Sequence, residues 1–587
     1  MSPETILVEA SWEVANKVGG IYTVVRTKAE LVVQRHPQYV LVGPLFLHRQ
    51  SSEFIEQAPP PRYAHIFEHL RAEGIQCVYG VWDIPGRPAV VLLNADHSSV
   101  DINALKGDLW NAFSLDTLRA GFDYDEPLRW AWGVGRLLEL LEKSSSEPVL
   151  GHFHEWMAGL SILYLKTHRV PVKTVFHTHA TMLGRTISGA TDINLYDSLS
   201  ELDFARIAKE LHVEDKHSTE VACAKHADVF CTVSEITGLE AEYIIGRKPD
   251  VLLFNGILHE QYPSADHNSQ EHVSAREKIR DFLSYYFFSH YTFDLEQSLT
   301  FFVSGRYEYR NKGLDILTRA LSQLNHELRG DDQAKTVIVF FFIPQGTHGI
   351  KAEVLESREA FVATQQHVSQ NADAITRNLL RSARNVHDLL ATALLSQPTL
   401  DRLNQLAGML EHVGTPPLAT HYLENEEHDP IVAGFRAHGL LNREEDKVKV
   451  VLYPVYLTGE DGLMNITYEE AVVGSHLGIF PSYYEPWGYT PMEAIAMGVP
   501  AITTDLAGFG RFIQHQDKPG AFVLTRQNRS EQEVVSELVA CMKHFVLLRQ
   551  HERHQLQDAA KSLSTLTDWN VFIDQYFLAY KKAYDAR

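Results

Sequence analysis

Residues 476–505 read HLGIFPSYYEPWGYTPMEAIAMGVPAITTD. The run LGIFPS is apolar and β-prone, and it stops at Ser482. Pro491 suits the first turn of a helix. That placement makes Thr490 the N-cap and sets Glu493 three residues on, the spacing of a capping box. Gly498 and Pro500 then close the helix, and PAITTD starts a new β run. A strand, a turn, a short helix and a second strand in succession form the repeating unit of a parallel α/β sheet.

The same unit recurs along the chain. ILVEAS, YVLVGP, AVVLLN, PVLGHFHEW, VKTVFHTH, DVFCTVS and DVLLFNG are apolar runs in the first half that end in small, polar or histidine residues. A second series begins after about residue 262 with LTFFVSGRYEYRNKG, KTVIVFFFIP and VKVVLYPV, and leads into the stretch above. The expected architecture is α/β, with two Rossmann-like domains facing each other across a cleft. Residues 1–261 form the first domain, residues 262–569 the second, and an aromatic helix at 570–587 docks back on a domain surface. Ligands of such sheets lie beyond the carboxyl ends of the strands.

Between residues 347 and 446 the strand rhythm stops. Apolar or small residues recur at Phe361, Val368, Ala372, Ile375, Leu379, Val386, Leu389 and Ala393, a spacing of about 3.5 residues. This predicts an inserted helical hairpin or bundle. Its apolar face packs either on its own domain or on a second protomer.

Composition narrows the function. The 587 residues exceed one core, because domains usually hold about 100 to 200 residues. A formal charge of -22 argues against a nucleic-acid partner, which would be held by clustered Lys and Arg. Four cysteines without a CxxC spacing fit a reducing compartment. No leader-like N-terminus and no long apolar run occurs, so the expectation is a cytoplasmic protein without a membrane partner.

Several residues are placed for chemistry. Gly488 lets a ligand approach the backbone at a helix start, where free N–H groups favour phosphate. Glu485 precedes that turn, has no capping role, and stands beside Trp487, whose ring offers an apolar platform to a sugar. In SGRYEYRNKG, Arg306 and Lys312 follow a strand and supply cations for a diphosphate. In EVANKVGGIYTVV, Lys17, Gly19 and Gly20 lie between the first strand and first helix, a short glycine turn that falls short of a full dinucleotide fingerprint. GHFHEW and FHTHATMLGR carry two His-x-His pairs, each on one face of a strand. With Glu155 these histidines give a rival reading, a zinc-dependent hydrolase.

Taken in order, these motifs resemble the animal and fungal type of glycogen synthase, a retaining glycosyltransferase of the GT-B fold. The resemblance runs through ASWEVANKVGGIYTVVRTKA, GHFHEWMAG, THATMLGR, SGRYEYRNKGLDI, HLGIFPSYYEPWGYTPMEAIAMGVPAITTDLAGFG and the terminal DW. The first loop reads KVGGI where ADP-glucose enzymes typically carry KTGGL, so UDP-glucose is the implied donor and glycogen or another α-1,4-glucan the acceptor. The resemblance implies that Arg306 and Lys312 grip the diphosphate, with Arg185 reaching it from the opposite domain. Gly488, Tyr489 and Thr490 then present the phosphate-binding helix start, Glu493 the ribose contact, and Tyr468 a ring for uracil. His179 and Asn255 line the donor glucose beside Glu485, which positions and stabilises charge while the leaving phosphate helps deprotonate the acceptor. No metal and no cofactor is implied, and a homotetramer is.

Two departures carry weight. Relatives controlled by glucose 6-phosphate hold an arginine cluster where this chain reads LLRQHERHQLQDAAK, with only Arg549 and Arg553. The chain also begins close to its first strand and ends soon after its last helix, so an enzyme without phosphorylated tails is expected. A transferase of the same fold with ADP-glucose or another acceptor, and a glucan-binding relative without catalysis, remain as alternatives.

Overall fold

Chain order and sheet order diverge early, and that divergence places the cleft. The computed structural model describes residues 5–46, 52–117, 119–263, 270–331, 334–382 and 395–586. Its first sheet holds β1 (Ile6–Ala10), β2 (Tyr39–Pro44), β3 (Phe54–Gln57), β4 (Gln76–Trp82), β5 (Ala89–Asn94), β6 (Val149–His154), β7 (Lys173–Thr178), β8 (Val229–Thr232) and β9 (Val251–Leu252). They lie in the order β3-β4-β5-β2-β1-β6-β7-β8-β9. The chain starts at β1, winds outward through β2, then crosses to β6 and winds the other way. A crevice opens at such a reversal, beyond the carboxyl ends of β1 and β6.

The second sheet repeats the plan. Its strands β10 (Leu299–Ser304), β11 (Val337–Phe342), β14 (Val448–Tyr453), β15 (Leu477–Ile479), β16 (Ala501–Thr504) and β17 (Ala521–Leu524) lie in the order β14-β11-β10-β15-β16-β17. All pairings are parallel. The reversal falls between β10 and β15, so the loop carrying Arg306 and Lys312 meets the loop carrying Glu485. Every residue of β10, β11 and β14 is buried, as expected for parallel strands covered by helices on both faces.

The apolar runs of the sequence became strands, but some strands gave no such run. β3 and β4 form an antiparallel edge next to β5. Their residues are mostly exposed or half-buried, so they lack the continuous apolar character that marks a buried parallel strand. The insertion is also more than helices. Thr347–Ile350 (β12) and His421–Leu423 (β13) pair as an antiparallel ribbon at its base. Above it stand helices Ala352–Gln370, Ala372–Ser382 and Gln397–Leu410. Val386, Leu389 and Ala393 lie outside the described residues. Phe361 packs on Tyr285 with ring centroids 5.7 Å apart, whereas Val368 and Leu379 are 41% and 44% exposed.

The last helix, Trp569–Asp585, returns to the first sheet. Trp569 Nε1 donates to Thr27 Oγ1 at 2.7 Å, and the Tyr580 hydroxyl meets His152 Nδ1 at 3.0 Å. Among the described residues, no helix is long and apolar enough to cross a membrane.

Candidate active site

Two glycines bring the second sheet's loops together. Gly313 adopts φ 67°, and a Cβ there would stand 1.9 Å from the Pro481 carbonyl oxygen. Only glycine allows that approach, and it seats the loop after β10 against the loop after β15. Lys312 Nζ consequently lies 2.5 Å from Glu485 Oε2, with side chains 15% and 20% exposed. Ser304, Ser482, Thr490 and Thr503 line the same small cavity. Gly488, at φ 109°, caps the helix Tyr489–Ala496.

That cap corrects the expected helix start. Thr490 is not the N-cap, because the left-handed Gly488 turns the chain into the helix two residues before Pro491. Glu493 accordingly forms no capping box. Its carboxylate accepts from the Tyr468 hydroxyl at 3.2 Å and the Tyr262 hydroxyl at 3.5 Å. Burial pushes its pKa up to about 7, against the pull of the Tyr468 hydrogen bond. Tyr489 and Thr490 form the first turn, whose N–H groups have no intrahelical acceptor.

Trp487 is a second correction. Its ring is 3% exposed and packs on Phe254, with centroids 5.3 Å apart, and on Phe509, Phe512 and Phe572. It is core and offers no face to a sugar. Trp487→Ala is therefore expected to destabilise the fold by about 3–5 kcal/mol, read as a fall in thermal midpoint. A raised donor KM at unchanged stability would return the ring to the site.

Arg306 is the third. Its side chain is 74% exposed and pairs with Glu308 at 2.8 Å, so it is not gathered with Lys312 and Glu485. Glu308 also lies within Coulombic reach of Arg185, which projects from the helix Met182–Ala190 of the first unit. One acid thus faces an arginine from each side of the cleft. Arg185 in turn faces Glu155, whose carboxyl burial raises to about 7.

The first sheet contributes the remaining candidates. Lys17 sits in an exposed loop after β1, which ends at Gly19, the N-cap of the helix Gly20–Arg35. Glu13, which sequence reasoning missed, fastens that loop by accepting from the N–H groups of Gly19 and Tyr22 at 2.8 Å each. A Cβ on Gly20 would meet no described atom within 4 Å, so packing does not demand glycine there. Asn255 follows β9, is buried, and its Oδ1 has no partner among the described residues. His179 follows β7, and its ring stacks on His177 with centroids 4.1 Å apart.

The histidine pairs do share one face. His152, His154 and His177 bring ligand atoms within 4.8 Å of one another. Glu155 does not join them as the hydrolase reading required. It accepts from the His179 backbone N–H at 2.9 Å, and it opens the helix Glu155–Thr167 with a left-handed φ of 61°.

The loop bearing Glu485 also touches the first unit. Ser234 Oγ donates to the Pro486 carbonyl at 2.7 Å, and the Tyr484 hydroxyl donates to buried Glu240 at 3.1 Å. The site therefore combines an anion-ready helix start, a lysine–glutamate pair, and a histidine and an arginine from the facing unit.

Comparison with known proteins gives the family. A family model described as glycogen synthase matches residues 9–586. Liver glycogen [starch] synthase of Homo sapiens is 34% identical over 98% of this chain and 82% of its own length. Glycogen [starch] synthase isoform 1 of Saccharomyces cerevisiae is also 34% identical, over 96% of this chain and 84% of its own. Among solved structures, the catalytic domain of starch synthase IV from Arabidopsis thaliana, bound to ADP and acarbose, covers 99% of each chain at a TM-score of 0.50 and 12% identity. That likeness places the fold with the GT-B glycosyltransferases. On sequence over nearly its whole length, the chain belongs to the glycogen synthase family.

Proposed function

We propose that this glycogen synthase takes its glucose from UDP-glucose and adds it, with retention of configuration, to the 4-hydroxyl at the nonreducing end of an α-1,4-glucan. The observation that carries the reading is the Lys312–Glu485 pair, 2.5 Å apart at the reversal of the second sheet. A cation there meets the charge that develops on the departing phosphate, and preorganised groups of this kind are commonly the largest catalytic term. The first turn at Tyr489 and Thr490 holds the same diphosphate through backbone N–H groups. Glu493, fixed by two tyrosine hydroxyls, accepts from the ribose, and the Tyr468 ring covers the uracil. Arg185 and Arg306 reach the diphosphate as the cleft closes, which excludes water and limits hydrolysis of the donor. His179 and Asn255 line the glucose. These cations and the helix start carry the anion's charge in this reading, so no metal enters it.

All four cysteines are free thiols, which supports a cytoplasmic enzyme. The exposed apolar residues of the insertion, Val362, Val368, Leu379 and Leu380, support assembly through that insertion, with a tetramer as the expected state.

The purified protein is to be incubated with UDP-glucose or ADP-glucose, with and without glycogen, while nucleotide release and chain growth are followed. Preference for UDP-glucose and strict dependence on glycogen are expected. Preference for ADP-glucose, or transfer without glucan, overturns the reading. Glucose 6-phosphate in the same assay is expected to leave the rate within about twofold. Arg549 is already paired with Glu552 at 2.7 Å, and Arg553 is buried and donates to the Leu548 carbonyl, so neither is set aside for a phosphate.

A further inference from the structure

Glu9, near the carboxyl end of β1, is fully buried, and so is Lys28, whose Nζ lies 2.6 and 2.5 Å from the two carboxylate oxygens. The Tyr39 hydroxyl donates to the same carboxylate. A buried ion pair is a weak device for stability, since well-packed apolar residues do as well or better. This one has a further contact. Glu9 Oε1 lies 2.6 Å from His154 Nε2, and His154 Nδ1 lies 2.8 Å from His179 Nε2.

The order of donors in this chain is fixed at one end. Burial pushes the Glu9 carboxyl up, and the Lys28 ammonium with the His152 and His154 rings more than reverses it, holding the group well below the ordinary carboxylate range. An ionised carboxylate only accepts, so His154 carries its proton on Nε2. A neutral imidazole has one N–H, so His154 Nδ1 accepts and His179 Nε2 donates. His179 is left with a bare Nδ1. We propose that Glu9 and His154 are positioning residues that fix His179 in the tautomer whose Nδ1 accepts a hydrogen bond from a hydroxyl of the donor sugar. The proposal rests on the reading that His179 lines that sugar.

A metal ion in the cluster is the competing account, and two observations oppose it. The His152 and His177 rings stack, 18° from parallel with centroids 5.5 Å apart. His154, the third member of the cluster, has Nε2 on Glu9 and Nδ1 on His179, which leaves it no free lone pair for an ion. The Glu9 charge is already matched by Lys28, which leaves a buried dication without a counter-charge.

His154→Phe keeps a ring in the stack and removes both relay nitrogens. His152→Phe changes a neighbouring ring, 4.3 Å from His154, and gives up the Tyr580 contact and one of the charges facing Glu9, but it leaves the Lys28–Glu9 pair and both hydrogen bonds of the Glu9–His154–His179 chain in place. With UDP-glucose and glycogen, kcat is expected to fall about tenfold to hundredfold in His154→Phe, with the donor KM changed less than about threefold and His152→Phe within about threefold of the parent. Histidine 15N resonances, with His179 assigned by its loss in His179→Ala, are expected to show the Nε2–H tautomer in the parent and a mixture in His154→Phe, which a packing role would not produce. An Nδ1–H tautomer in the parent, equal losses in both phenylalanine variants, or stoichiometric zinc lost on His177→Ala overturns the proposal. Unchanged transfer by His179→Ala removes the underlying reading and the proposal with it. An essential His179 beside an indifferent His154 removes the proposal alone.

Discussion

Exchange of Glu485 for Gln is expected to lower kcat by about 10²–10³, and exchange of Lys312 for Met by a similar factor. The two side chains meet at 2.5 Å and share one cavity, so each holds the other in register with the departing phosphate. Residues that act as one unit show strongly non-additive losses. The double variant Lys312→Met/Glu485→Gln should therefore lose little beyond either single one, where independent roles would multiply to about 10⁴–10⁶. Folding should persist in all three variants. Both side chains keep some solvent contact, and the loop is held by backbone bonds such as Gly508 N–H to the Glu485 carbonyl at 3.0 Å. Multiplicative losses would separate the two roles, and parental turnover in either single variant would take that residue out of the chemistry.

The pair shows what the sequence made legible. Lys312 and Glu485 lie far apart in the chain, yet each follows an apolar run of the kind that becomes a central parallel strand. Once β10 and β15 are neighbours, their loops must meet. Continuous apolar runs report burial, which is why β10, β11 and β14 were readable and the polar edge strand β3 was not. Local patterns proved less secure than these runs. Thr490, Pro491 and Glu493 match a capping box, but Gly488 in a left-handed conformation starts the helix earlier, and tyrosines from elsewhere in the chain claim Glu493. Trp487 stands beside Glu485 in sequence, but the chain turns between them, and the indole joins rings from Phe254 and Phe572 that no local pattern reveals. The Glu9–His154–His179 chain was hidden for the same reason. Its members come from two strands and the end of a third, and a lone acid in ILVEAS carries no signal of its partners.

Arg306→Ala should lower kcat by about 10²–10³ with the thermal midpoint unchanged, because a side chain 74% exposed contributes little packing. The expectation is stronger than the static geometry, in which Arg306 turns to Glu308 and away from Lys312. The two are reconciled by charge. Glu308 is paired with Arg306 and also attracts Arg185 from across the cleft. A diphosphate carries more negative charge and takes arginine in the same bidentate way, so it displaces Glu308 and draws the two sides of the cleft together. Glu308→Ala tests the exchange. Without the competing acid, the donor KM should fall while kcat holds, and Arg306→Ala in that background should still be nearly inactive. An unchanged donor KM would show that Glu308 does not compete, and full turnover in Arg306→Ala would leave Lys312, Arg185 and the helix start at Tyr489 as the anion's partners.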